Sequence, residues 1–177
     1  MKKILMVIVL LLGGVFTSFA QSGYRGFADI GLGAGFNKVF GFNAMISTTH
    51  GYQCNGHIFT GAGVGIGYSG MEIPQNYNLP AGVSVDARVG MRVPLYANFR
   101  YDYSLISSKS FFFSTKLGYD LVADGYYISA EFGVRFGRNS AVSYNLGLGL
   151  DYTFLYGREY SYTCIMYGPM LSFGIEF

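Results

Sequence analysis

Eight times along the chain, odd and even positions sort into two chemical classes for roughly ten residues, break at a turn-rich stretch, and sort again. The apolar class takes alternate residues from Gly26 to Ala34, Phe40 to Thr48, Ile58 to Tyr68, Val93 to Tyr103, Phe111 to Leu121, Ile128 to Phe136, Val142 to Phe154 and Ile165 to Phe177. None of these 47 positions is charged. A side-chain period of two is the geometry of a β-strand with two unlike faces. The other class holds glycine, serine, asparagine and every strand charge: Arg25, Asp29, Arg92, Arg100, Asp102, Lys116, Asp120, Glu131, Arg135, Asp151 and Glu176.

The environment of the apolar face follows from composition. Charged residues make up 12% of the chain and hydrophobic ones 51%, against about 25% charged in an ordinary soluble domain. After residue 20, no run of about 18 apolar residues escapes a charge or a glycine, so a spanning helix is excluded. A closed antiparallel barrel is the remaining way to satisfy a backbone in lipid. The fold class read from the sequence is therefore all-β: a closed up-and-down transmembrane β-barrel of about eight strands. An eight-stranded barrel is too narrow to enclose 47 residues rich in Phe, Tyr, Leu and Ile, so the apolar class faces outward and the polar class lines the lumen. Tyr68, Tyr119 and Tyr152 at one rim, and Tyr101, Tyr103, Phe111, Phe136 and Phe177 at the other, are placed to form two interfacial girdles.

The first residues, Met1-Lys2-Lys3, an apolar run and then small residues up to Ala20, read as a secretory signal peptide over 1–20, leaving one barrel domain over 21–177. Without Lys2 and Lys3 the mature chain has 10 basic and 10 acidic residues, which offers no footprint for nucleic acid. If both termini lie in the periplasm, external loops are expected near 35–39, 69–84, 122–126 and 155–161, and periplasmic turns near 49–56, 104–110 and 137–141. Val85, Ala87, Val89 and Met91 share the parity of the fourth strand and are expected to prolong it. Pro94 and Pro169 each remove a ladder donor, and a bulge is expected at both.

Several groups suggest chemistry. The glycines 61, 63, 65 and 67 continue at period two through a strand instead of opening a helix, so they read as lumen glycines and not a phosphate loop. Cys54 and Cys164 are expected at opposite ends of the barrel and unpaired. His50 and His57 flank a periplasmic turn, away from the rim where a lipid-modifying enzyme on such a barrel would need a base. No catalytic, cofactor or metal site is expected. The lumen ions must be paired or hydrated, and strand height pairs Lys116 with Glu131, Arg25 with Glu176, and Arg92 with Asp120.

In its strand and turn patterns the chain resembles the small outer-membrane β-barrel proteins of Bacteroidota, with the plan of the OmpA/OmpX-type barrels. The stretches that carry the resemblance are Thr60-Gly61-Ala62-Gly63-Val64-Gly65, Val93-Pro94-Leu95-Tyr96-Ala97-Asn98-Phe99-Arg100-Tyr101, Lys116-Leu117-Gly118-Tyr119, Glu131-Phe132-Gly133-Val134-Arg135-Phe136 and the closing Gly174-Ile175-Glu176-Phe177. The resemblance implies an address in a Gram-negative-type outer membrane and a terminal aromatic read by the barrel assembly machinery. It also implies a chain that stops at the barrel, without the peptidoglycan-binding domain of longer OmpA relatives. The expected function is a monomeric, non-catalytic structural or surface-interaction protein, surrounded by outer-membrane lipid, with its lumen plugged by ion pairs. The alternative is a narrow porin-like channel for ions or very small solutes.

Overall fold

The computed structural model describes residues 23–37, 39–54, 56–72, 90–106, 109–122, 124–137, 142–156 and 163–177. Its strands are β1 (Tyr24–Asn37), β2 (Val39–Gln53), β3 (Ile58–Glu72), β4 (Gly90–Arg92), β5 (Pro94–Ile106), β6 (Lys109–Asp120), β7 (Gly125–Phe136), β8 (Ser143–Tyr156) and β9 (Thr163–Glu176). Sequence neighbours pair antiparallel, except that β4 and β5 both pair with β3, and β9 returns to pair with β1, so the sheet closes. β4 and β5 hold the same register against β3, Tyr68 facing Met91 and Val64 facing Leu95, and so form one barrel strand, which brings the number of staves to eight.

The stagger of the barrel can be read from its ladders. From Gly33 the partners run Met170, Gly149, Glu131, Ser114, Arg100, Phe59 and Gln53, whose amide donates to the carbonyl of Gly23, ten residues down β1 from the start. Eight strands about 4.8 Å apart, with about 3.3 Å of rise per residue, close with that stagger at a tilt of roughly 40°. Each residue then climbs about 2.5 Å along the axis, so strands of 12 to 15 residues outreach an apolar band about 25 Å tall. This is why the strands run beyond their expected ends. The loop expected at 35–39 shrinks to residue 38, and the turns expected at 49–56 and 104–110 shrink to 54–57 and 107–108. The expected fourth-strand extension is observed from Gly90 through Met91; residues 85, 87 and 89 lie outside the described residues.

The outward face is as expected. Ile46, Ile66, Leu117, Phe132, Leu148 and Leu171 are exposed along the middle of the wall. Tyr68, Tyr119, Tyr126, Tyr152 and Tyr167 ring the loop rim, where Tyr152 stacks on Tyr167 with centroids 5.8 Å apart. Tyr52, Tyr101, Tyr103, Phe136, Tyr144 and Phe177 ring the opposite rim, where β1 begins and β9 ends.

Neither proline carries a bulge. Pro94 keeps register with Asp120 and Pro169 with Leu150; the register shift lies instead between Ser104 and Ile106. Beside Pro94, Val93 N donates to Asp120 Oδ1 at 3.0 Å, so that amide keeps a partner where the ladder to β3 is interrupted. At Pro169 the ladder to β1 simply ends: the last pair is Gly33 with Met170.

The lumen class also differs from the expectation of small and charged residues alone. Phe27, Met45, Phe59, Tyr96, Phe112, Tyr127 and Met170 all point inward and are buried. The lumen glycines are the space these side chains occupy. A Cβ at Gly63 would lie 2.5 Å from the Tyr96 ring and 2.6 Å from the Thr48 carbonyl, and one at Gly133 would lie 2.5 Å from Phe112. Gly63→Ala is therefore expected to cost about 1–3 kcal/mol by overpacking, read as a lowered midpoint of thermal unfolding in detergent micelles.

Candidate functional site

The eleven charged residues singled out in the sequence all lie on the lumen wall, and nine are buried; Arg25 and Asp29 are half-buried. They fall into three groups along the axis.

At the rim where β1 begins and β9 ends, Asp102 is a hub for three arginines. Its Oδ1 accepts from Arg100 Nε at 2.8 Å, and its Oδ2 lies 3.2 Å from Arg25 and 3.5 Å from Arg135. Glu176 Oε1 bridges Arg25 at 2.5 Å and Arg135 at 2.8 Å. Arg135 Nε also donates to Ser143 Oγ at 3.2 Å, and Arg25 to the Gln53 side-chain carbonyl. The expected Arg25–Glu176 pair is thus present, within a larger network. Arg100 closes this group from above: its guanidinium lies 3.9 Å from the Phe112 ring centroid and 4.8 Å from that of Phe27, while Nη2 donates to Asn145 at 2.9 Å. Phe27 in turn packs edge-on against Phe59, with centroids 4.9 Å apart.

In the middle of the barrel the expected Lys116–Glu131 pair is replaced. Lys116 Nζ donates to Asp29 Oδ2 on β1 at 3.2 Å, and Glu131 accepts from Ser172 Oγ. Register explains the exchange. Lys116 faces Ser129, and Glu131 faces Ser114, so the two charges are diagonal on adjacent strands. The ammonium reaches across the narrow lumen instead. A double-mutant cycle on Lys116 and Asp29 is expected to give about 1–3 kcal/mol of coupling, and the cycle on Lys116 and Glu131 distinctly less, both from denaturant unfolding in micelles. Above this level Tyr96, Tyr127 and Met45 form an apolar layer. Lys116 sits under the Tyr96 ring at 5.4 Å, and Arg92 over the Tyr127 ring at 5.6 Å.

At the loop rim, Arg92 Nε donates to Asp120 Oδ2 at 2.9 Å, the third expected pair, and Arg92 Nη1 lies 3.6 Å from Asp151 Oδ2. Asn43 Nδ2 donates to the same Asp151 oxygen at 2.5 Å, tying β2 to β8. Asp120 Oδ1 also accepts from Val122 N at 3.2 Å.

Both histidines lie at the rim where β1 begins and β9 ends. His50 Nδ1 meets the Tyr24 hydroxyl at 2.5 Å and Nε2 meets Thr48 Oγ1 at 2.9 Å; His57 Nδ1 meets the Asp102 carbonyl at 2.8 Å. Cys54 is an exposed free thiol at that rim; the side chain of Cys164, near the start of β9, lies outside the described residues.

No protein-family model and no curated protein matches the chain. The crystal structure of Neisserial surface protein A superposes with a TM-score of 0.55 at 16% identity, over 88% of this chain and 96% of that one. The chain has a membrane β-barrel fold. Two further solved structures align less well: a de novo designed transmembrane β-barrel, with a TM-score of 0.42 and 12% identity over 89% of this chain and 97% of that one, and the translocator domain of the autotransporter NalP from Neisseria meningitidis, with 0.38 and 11% over 99% and 95%.

In this membrane barrel, ion pairs and rings alternate along the axis. The inward apolar residues escaped sequence reading because the alternation that marks the two faces is statistical. Phe27 and Phe59 sit in the polar class with no local sign that they fill the lumen. For Phe59 the one signal is the glycine beside it: Gly51 on the facing strand and Gly61 two residues along its own strand both border the ring.

Proposed function

We propose that the protein is an integral outer-membrane β-barrel of Gram-negative type, built on the plan of the small Bacteroidota barrels. It is exported with a signal peptide over residues 1–20, and the domain over 21–177 is inserted by the barrel assembly machinery. It acts as a monomeric, non-catalytic scaffold in outer-membrane lipid, with no cofactor and no nucleic-acid partner. Its lumen is closed, and its work is done by the connections at the rim opposite the chain ends, above all residues 73–89, the longest connection between strands.

The observation that carries this reading is the filling of the lumen. Arg100 lies between Phe112 and Phe27, Tyr96 and Tyr127 form a second layer, and all five side chains are buried. A hydrated ion would have to displace a paired arginine and two aromatic layers, and each step carries a desolvation cost of several kcal/mol. The girdles at the two rims support the membrane address, with the apolar wall between them. The histidines support a non-catalytic role, since both lie at the rim assigned to the periplasm.

The test is an epitope inserted within residues 73–89 of the full chain, expressed in a Gram-negative host. The tag is expected to co-fractionate with the outer membrane and to bind antibody on intact cells. A tag reached only after permeabilisation would overturn the orientation and with it the surface role.

A further inference from the structure

Every cation singled out in the lumen has a carboxylate beside it: Arg25, Arg92, Arg100, Lys116 and Arg135 each lie within 3.2 Å of an aspartate or glutamate oxygen. One cation stands on the other side of the wall. Lys109, the first residue of β6, is exposed on the outward face, where the described strand side chains include no other charge. No carboxylate among the described residues pairs with it. Its ammonium lies instead over the Phe136 ring, 5.7 Å from the centroid.

The sheet holds this lysine from both sides, because its backbone pairs with Ile106 on β5 and with Phe136 on β7. The one register shift in the described ladders falls just before it, between Ser104 and Ile106, and beyond that shift Lys109 still keeps its partner at the edge of the sheet. On the lipid-facing wall it is bordered by Phe111, Phe136 and Tyr103. Tyr103 faces Phe111 and is therefore diagonal to Lys109, a separation that long side chains span. Both Phe136 and the Tyr103 ring are exposed.

A lysine placed in such a girdle lays its stem along apolar surface and holds its ammonium at headgroup depth. The anion found at that depth is a lipid phosphate. The described outward side chains of this rim carry no carboxylate, so the ammonium of a zwitterionic headgroup meets no counter-ion there, whereas a headgroup of net negative charge keeps the attraction whole. The opposite rim has the reverse sign: Asp124, in the turn between β6 and β7, accepts from the outward Tyr119 hydroxyl.

We propose that the rim where β1 begins and β9 ends holds the phosphate of an anionic phospholipid at Lys109, with the Tyr103 hydroxyl as a second donor. The site rests on the proposed membrane address and is independent of lumen closure and of which rim faces the periplasm.

The test uses the full barrel in phosphatidylcholine nanodiscs containing rising mole fractions of phosphatidylglycerol, with the backbone amide resonances of Lys109, Phe111 and Phe136 as the readout. These are expected to shift and saturate, while those of Tyr68 and Tyr126 at the opposite rim stay in place. Lys109→Gln is expected to raise the mole fraction at half-saturation about fivefold, and Tyr103→Phe to raise it less. Inorganic phosphate added to pure phosphatidylcholine discs is expected to leave the resonances unmoved. A non-saturating shift shared by both rims would point to diffuse surface potential, and the same shift with inorganic phosphate to a soluble anion. Either result, or a Lys109→Gln barrel that responds as the unaltered one does, would overturn the site. A barrel folded in the discs without any response would also overturn it and leave the membrane address standing.

Discussion

Replacing Asp102 with alanine is expected to destabilise the barrel by about 3–5 kcal/mol, the cost of removing one partner from a buried ion network. Asp102 is 4% exposed and contacts Arg25, Arg100 and Arg135, drawn from three different strands. Without it, three guanidinium groups would be left around Glu176 as the one remaining carboxylate of the cluster. The position of Arg100 between Phe112 and Phe27 also depends on the hydrogen bond from its Nε to Asp102. Asp102→Asn keeps one acceptor oxygen and the shape of the side chain, so its loss should be smaller while remaining measurable. Guanidinium-induced unfolding from micelles, followed by intrinsic fluorescence, provides the comparison. A loss below about 1 kcal/mol for the alanine variant would mean that this group is hydrated like a surface cluster, where such pairs contribute little.

A second large effect is expected at Asp120, which is fully buried. Its carboxylate accepts from Arg92 Nε, Val93 N and Val122 N, and so replaces a ladder bond beside Pro94 and holds the connection after β6. Asp120→Ala should cost about 3 kcal/mol. The loss should also be local: amide exchange at Val93 and Val122 is expected to speed up far more than at Phe99 or Leu117 in the middle of the wall. Uniform acceleration would show that Asp120 supports the barrel as a whole and not the interrupted fourth strand.

How far the sequence revealed this molecule depends on which contacts are local. The outward face was legible residue by residue, because lipid tolerates no charge at Ile46, Leu117 or Leu148 and successive side chains of a strand point to opposite faces. Two of the three ion pairs were legible for a related reason: Arg92 and Asp120 lie near the ends of adjoining strands, and Arg25 and Glu176 lie at the start of the first strand and the end of the last. Lys116 was not. Its partner depends on the ten-residue stagger of the closed sheet, a property of the whole circuit that no pair of strands specifies. The inward rings were hidden similarly. Tyr96 fits because Gly63 on the facing strand leaves room, and Phe112 because Gly133 does. Such complementarity becomes visible only once the register is known. The proline expectation failed on a different point: beside a proline the neighbouring amide can find a side-chain acceptor, as Val93 N does in Asp120, or the ladder can end, as at Pro169, without an extra residue in the strand.

The proposed closure of the lumen is tested most directly by single-channel recording of the refolded full barrel in a planar bilayer, with folding verified by its heat-modifiable migration, beside Lys116→Ala and Glu131→Ala variants. The filled cross-section at Arg100, Phe112 and Phe27, and again at Tyr96 and Tyr127, leads to the expectation of a silent bilayer for the unaltered protein. Reproducible conductance steps whose size changes in the Lys116 or Glu131 variant would contradict it and establish a narrow channel through the lumen.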